Sequence, residues 1–126
     1  RLLYENEHFI SFIPYASLSP YHVWLVPKMH QSSFSQISDK QIQSLSDCMK
    51  HTFHMSFEAL KNIDFNYIFQ SLTNFKDEGA YFHWYLSVIY HQKRRGGIEF
   101  AGGLFVNPLM PEDAAKNLKQ HRLSKK

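Results

Sequence analysis

The stretch YFHWYLSVIYH, positions 81–91, alternates in character. Read as a strand, it sets His83, Tyr85, Ser87, Ile89 and His91 on one face and Phe82, Trp84, Leu86, Val88 and Tyr90 on the other. An imidazole, a phenol and a hydroxyl in one row are groups that donate to phosphate oxygens, exchange protons or attack an electrophile. Their abilities differ. Imidazole has a pKa of about 6.5 and offers a neutral, nucleophilic nitrogen at neutral pH. A phenol has a pKa of about 10 and needs a neighbouring base. On the residues alone the row is an active site, the remains of one, or an ordinary sheet face.

Other chemical groupings are sparse. His51 and His54 stand three apart on a long helix, a spacing that can seat a metal, but no third ligand accompanies them. They read as a solvated helix face. His83 and His91 share a face but are separated by about 26 Å along an extended strand. No glycine-rich phosphate loop, cysteine pair or Ser-His-Asp pattern occurs.

The elements that must position the row follow from hydrophobic periodicity. LLYENEHFISFIP reads as a hairpin turning at Glu5-Asn6-Glu7, and HVWLVPK, 22–28, as a third strand stopped by Pro27. Ser38 and Gln41 form a capping box, and Ile42, Leu45, Met49, Phe53, Ser56 and Leu60 recur at helical spacing. One amphipathic helix is therefore expected over 39–61. FNYIFQS is a fourth strand, the 81–91 stretch a fifth, and IEFAGGLFV, 98–106, a sixth. PEDAAKNLKQ closes the chain as a short helix, with Pro111 at its first position and Glu112 and Asp113 complementing the helix dipole. Strands, helix, strands, helix make an α+β domain: an antiparallel sheet covered by one long helix plus a short C-terminal helix.

Composition sets the bounds. The 126 residues make one domain, and a 44% hydrophobic share with 11 Phe and 7 Tyr supplies a real core. The net charge of +3 is mild, and the basic stretches QKRRGG and HRLSKK read as a solvated loop and a frayed end. No nucleic-acid face is expected, because the aromatics sit in strands rather than between exposed basic residues. No apolar run reaches the roughly 18 residues of a membrane span. A single Cys48 fits a reducing compartment, and with no signal peptide the expected location is cytoplasmic. The chain starts without Met and reads as a piece of a longer one.

These residues resemble a family. ENEHFISFIPYASLSPYHVWLVPKMHQSSFSQISD followed by a long helix resembles the opening of a histidine-triad (HIT) fold domain, in particular the second half of galactose-1-phosphate uridylyltransferases and the related ADP-glucose phosphorylases. FHWYLSV resembles their HWHLQI or HWQLH strand, and GGIEFAGGLFVNPLMPEDAAKNLK their closing segment. In the superfamily the strand carries alternating histidines, the central one forming a nucleotidyl intermediate. Here the row is His83, Tyr85, Ser87, so the resemblance implies a half without its own histidine nucleophile, with Tyr85 a packed or hydrogen-bonded tyrosine. It implies a role in dimerisation and in binding a sugar phosphate or nucleotide sugar, beside an N-terminal HIT-like half. His83, Tyr85, Ser87, Lys93 and Glu99 become the candidate binding residues, Lys93 and Glu99 because they resemble the pair that approaches the sugar across the dimer. The family's metal-bearing positions on the strand hold Ser87 and Ile89, so the resemblance implies no metal or cofactor here and leaves zinc to a preceding domain. Lys28 and His30, in VPKMH, read as architectural. Two alternatives stay open: a degenerate HIT domain acting as a non-enzymatic interaction or ligand-binding module, and an independent HIT hydrolase with an unusual residue.

Overall fold

The computed structural model describes residues 1–61, 63–73, 79–91 and 96–123. Among them five strands form one sheet: β1 (Leu2–Glu5), β2 (Phe9–Phe12), β3 (Val23–Pro27), β4 (Phe65–Gln70) and β5 (Tyr85–Tyr90). Their order across the sheet is β1-β2-β3-β5-β4, and every neighbouring pair is antiparallel. Three α-helices accompany them: α1 (Asp39–Leu60), α2 (Gly97–Gly102) and α3 (Pro111–Lys119). This is the α+β arrangement expected, with α1 and α3 on one face.

The β1–β2 turn is organised by Asn6. Its side-chain oxygen accepts from the backbone N–H groups of His8 and Phe9, and its amide donates to Ser44 O of α1 at 2.7 Å. The short polar side chain thus replaces backbone partners that a tight turn leaves unpaired. Helix α1 begins as its sequence dictates: Ser38 Oγ accepts from Gln41 N, and Gln41 Oε1 accepts from Ser38 N at 2.9 Å.

The face that α1 buries is rotated from the expected stripe. Ile42 is exposed, while Gln41, Leu45, Cys48, Thr52, Met55 and Ser56 are buried. Small side chains at 48, 52 and 56 let the helix approach the sheet closely. Thr52 Oγ1 donates to the buried Ser11 Oγ of β2 at 2.9 Å, so two hydroxyls satisfy each other at the helix–sheet contact. Periodicity scored the large apolar residues and overlooked this ridge. Burial pushes the Cys48 thiol up to about 12.

Strand β5 is shorter than the alternating stretch: it begins at Tyr85, and His83 precedes it. The alternation still holds. Trp84, Leu86, Val88 and Tyr90 are buried in the core with Leu3, Phe9, Val23 and Leu25. A clasp anchors the strand entry. Trp84 N and Nε1 donate to Gln31 O and Oε1, and Gln31 Nε2 donates to Gln41 Oε1 of α1.

The expected sixth strand over 98–106 is not formed. Residues 97–102 are helical, and 103–110 run without regular structure. Local hydrogen bonding overrides the β-leaning composition here. Glu99 Oε2 accepts from Gly96 N at 2.7 Å and caps the first turn, and Gly103 ends the helix at φ 61°, a conformation that favours glycine. Helix α3 starts at Pro111, as the sequence implies, and buries Ala114, Ala115 and Leu118.

Candidate functional site

The register places the row. Trp24 of β3 pairs with Ser87 of β5, while Ser87, Tyr85 and Ile89 pair with Ile68, Gln70 and Asn66 of β4. Paired residues in an antiparallel sheet share a face. These side chains therefore form the sheet surface opposite α1.

Ser87 is buried, and its partner is a histidine that periodicity did not single out. His22 Nε2 lies 2.7 Å from Ser87 Oγ, with the ring fully buried. Two N–H groups close on the same ring: Leu18 N lies 3.2 Å from Nδ1, and Trp24 Nε1 lies 3.2 Å from Nε2. A doubly protonated ring would set its own N–H groups against these donors. Burial acts the same way and lowers the His22 pKa to about 4. The pair has the distance of a serine–histidine dyad but not its electrostatics. Proton transfer from Ser87 would create an imidazolium whose Nδ1–H faces the Leu18 amide instead of a carboxylate. The Ser87 hydroxyl is thus buried and engaged with His22.

Tyr85 packs on Trp24, with ring centroids 4.2 Å apart and planes 29° apart, and Phe12 meets Trp24 edge-on at 6.1 Å. His83 Nε2 donates to Pro27 O at 2.7 Å, which places the ring proton on Nε2 and leaves Nδ1 as the acceptor. His30, edge-on to His83 at 5.4 Å, donates from Nε2 to Gly79 O. Lys28 pairs with Glu5 at 2.6 Å. Lys28 and His30 are thus both engaged with other parts of the chain.

Glu99 stands on α2, not on a strand. Its two carboxylate oxygens accept from Gly96 N and from Val106 N. It lines a cleft of about 490 Å³ together with Asn66, Ile68, Ile89 and His91 of the β4–β5 region and Phe105. His83, Tyr85 and Ser87 do not line that cleft. Lys93 lies outside the described residues. The structure thus brings Tyr85 and Ser87 onto one surface with Trp24 and His22, sets His83 at its edge, and places Glu99 across a separate cleft.

His22 was legible in one respect. It shares the parity of Trp24 in HVWLVPK, but only the β3–β5 pairing reveals that it meets Ser87. Of the helix histidines, His51 stacks on Tyr4 at 4.1 Å and its Nδ1 donates to Asp47 O, while His54 borders a different cleft. Among the described residues no group of three or more His, Cys, Asp or Glu gathers to hold a metal ion. The metal positions implied by the resemblance do not fit one: Ser87 Oγ is turned to His22, and the Ile89 side chain has no donor atom.

No protein-family model matches the chain. Among curated proteins it is 30% identical to ADP-glucose phosphorylase of Arabidopsis thaliana over 95% of its length and 35% of the relative's. It is 26% identical to galactose-1-phosphate uridylyltransferase of Thermotoga maritima over 95% of its length and 40% of the relative's. The chain thus spans roughly a third to two fifths of these relatives. Among solved structures, the Arabidopsis thaliana ADP-glucose phosphorylase with bound ADP-glucose superposes with a TM-score of 0.92 at 29% identity, covering 97% of this chain and 40% of that one. A zinc-bound histidine triad family protein from Mycobacterium smegmatis superposes with a TM-score of 0.66 at 18% identity, covering 95% of this chain and 81% of that one.

Proposed function

The chain is a HIT-like domain homologous to ADP-glucose phosphorylases and galactose-1-phosphate uridylyltransferases, and on that premise we propose that it is the supporting, non-catalytic C-terminal domain of a cytoplasmic nucleotidyltransferase. The observation that carries this reading is the state of the β5 face. Tyr85 is stacked on Trp24, and the Ser87 hydroxyl is tied to a buried neutral imidazole. A nucleotidyl intermediate needs a nucleophile with an accessible lone pair and a base to activate it. Neither group meets that need.

The domain supports chemistry carried out by an N-terminal HIT-like half, self-associates, and contributes side chains to a sugar-phosphate or nucleotide-sugar site. His83 offers its ring Nδ1 to a ligand hydroxyl, Glu99 accepts from sugar hydroxyls, and Lys93 adds charge. Zinc, where the enzyme uses it, belongs to the preceding half. Charge-assisted contacts of this kind are each worth about 1.5–3 kcal/mol when shielded from water, so two of them minus ordering costs give binding on the order of 0.1–1 mM.

The test is covalent labelling. The chain is incubated with radiolabelled UDP-glucose or ADP-glucose, denatured and counted. No retained label is expected. A stable label that is lost in Tyr85→Phe or Ser87→Ala overturns the reading.

A second reading, a non-enzymatic interaction module, draws on Glu99. Its carboxylate is engaged with the backbone of its own segment, while Ile98, Phe100, Leu104 and Phe105 stand exposed around it. Such a surface suits a protein partner.

A further inference from the structure

Strands β1 and β4 are the opposite edges of the sheet, and the Glu99 cleft borders β4. At the other edge β1 meets α1 and the turn that follows α3. Between them lies a second cleft of about 420 Å³. That volume is within the range of about 300–1,000 Å³ that small-molecule sites occupy. His83, Tyr85, Ser87 and Glu99 do not line it.

The lining is mostly aliphatic. Leu3 and Met55 are buried, and the exposed Leu2 and half-buried Leu123 complete it. Met55 follows His51 by one helical turn, so the two share a face of α1. That face meets β1, where the His51 and Tyr4 rings stack with centroids 4.1 Å apart and planes 8° apart. Asp47 holds both rings. Its Oδ2 accepts from the Tyr4 hydroxyl at 2.6 Å, and its backbone carbonyl accepts from His51 Nδ1 at 2.9 Å. Burial first, and then this bond, push the Tyr4 hydroxyl up to about 12, so it remains a donor. This wall is set before any ligand arrives.

Arg122 brings an unmatched charge to this lining. The HRLSKK stretch, expected to fray, is tied back to β1 at Arg122, whose guanidinium donates to Leu3 O at 2.8 Å. Among the described residues Arg122 forms no ion pair. The Glu5 carboxylate of the same lining is taken by Lys28 at 2.6 Å, and Asp47 is taken by Tyr4 and Asn6. A guanidinium carries five N–H donors in a planar fork that matches a carboxylate. The bond to Leu3 O fixes the head group and leaves most of that fork for a ligand.

We propose that this cleft binds a small aliphatic carboxylate, its alkyl chain on Leu2, Leu3, Met55 and Leu123 and its carboxylate on the Arg122 guanidinium. The lining decides between anions. One guanidinium, with the Glu5 carboxylate nearby, suits a single negative charge, whereas a phosphate monoester carries as much as about −2. Methionine adapts its shape to irregular partners and suits a flexible chain. The site goes beyond the sugar-phosphate role proposed above and does not depend on it.

The test follows the methionine methyl signals by NMR. The chain has four methionines, and of these Met55 alone lines the cleft. Octanoate should shift the Met55 signal, saturating in the range of about 0.1–1 mM, and leave Met29, Met49 and Met110 in place. Hexanoate should bind about tenfold more weakly, because two methylenes fewer are buried. Arg122→Gln should weaken octanoate binding at least fivefold. Octanamide, of the same shape but uncharged, should bind the native chain at least fivefold more weakly, which keeps the test should the variant misfold. Glucose-1-phosphate should leave Met55 unmoved. No Met55 shift at several millimolar octanoate, or equal shifts at all four methionines, overturns the site. Equal affinities for octanoate and octanamide overturn the carboxylate assignment.

Discussion

His22 Nε2 and Ser87 Oγ lie 2.7 Å apart across β3 and β5, both buried, with the Leu18 and Trp24 N–H groups closing on the ring. The contact couples the sheet to pH. Burial holds the His22 pKa at about 4 in the folded chain, against about 6.5 unfolded. Between those values the unfolded chain binds a proton that the folded chain refuses. The stabilisation is complete above pH 6.5 and is lost as pH falls toward 4, by about 1–3 kcal/mol. Urea unfolding at pH 7, 5.5 and 4.5 should show this loss, and His22→Gln should flatten the profile across the same interval. Equal slopes in the two proteins would remove His22 as its source. Asp47, held below the usual carboxylate range first by the Tyr4 hydroxyl bond, adds a loss centred at lower pH.

Ser87→Ala tests the other half of the contact. It takes the hydroxyl away from a buried ring nitrogen without opening a large cavity. A loss of about 1–3 kcal/mol is expected from the unpaired group. Covalent labelling should be unaffected, because Ser87 is assigned no chemical step.

Thr52 and Ser11 offer a cycle. Thr52→Val keeps the shape but leaves the buried Ser11 hydroxyl without the donor 2.9 Å away. It should cost about 1–2 kcal/mol. Adding Ser11→Ala should recover part of that loss, since removing both partners of a buried pair is cheaper than removing one. Additive costs would show that the two hydroxyls act independently.

Glu99→Ala should act locally. The carboxylate caps α2 through Gly96 N and holds Val106 N at 3.4 Å, while the core lies elsewhere. Hydrogen exchange at the Gly96 and Val106 amides should speed up by about tenfold, with little change in the global unfolding midpoint. If Glu99 also meets a sugar, the same variant should weaken glucose-1-phosphate binding with no change in fold.

His83 tests the proposed ligand contact at the edge of the β5 face, apart from the Glu99 cleft. Titration with glucose-1-phosphate, UDP-glucose and AMP should shift the His83 ring protons in the millimolar range and leave His51 and His54 in place. His83→Ala should abolish the response. Silence from all histidines at several millimolar would favour the interaction-module reading.

The local rules that write a helix start or a strand face act within a few residues, and they were legible. The Ser38–Gln41 box, the Asn6 turn, Pro111 opening α3 and the two faces of 82–90 all follow from neighbours in the chain. Tertiary structure decided the rest. The buried stripe of α1 turned to Cys48 and Thr52 because Ser11, some forty positions away, offered a partner at the closest approach of helix and sheet. The first part of the 98–106 segment became α2, which ends at Gly102, because the Glu99 carboxylate capped its first turn at Gly96 and Gly103 ended it, where alternation alone read a strand. His22 found Ser87 only when β3 was laid beside β5, and β4 became an edge only through the strand order. Each of these depends on which backbone lies alongside which, and a hydrogen bond between residues 22 and 87 leaves no mark on the spacing of either.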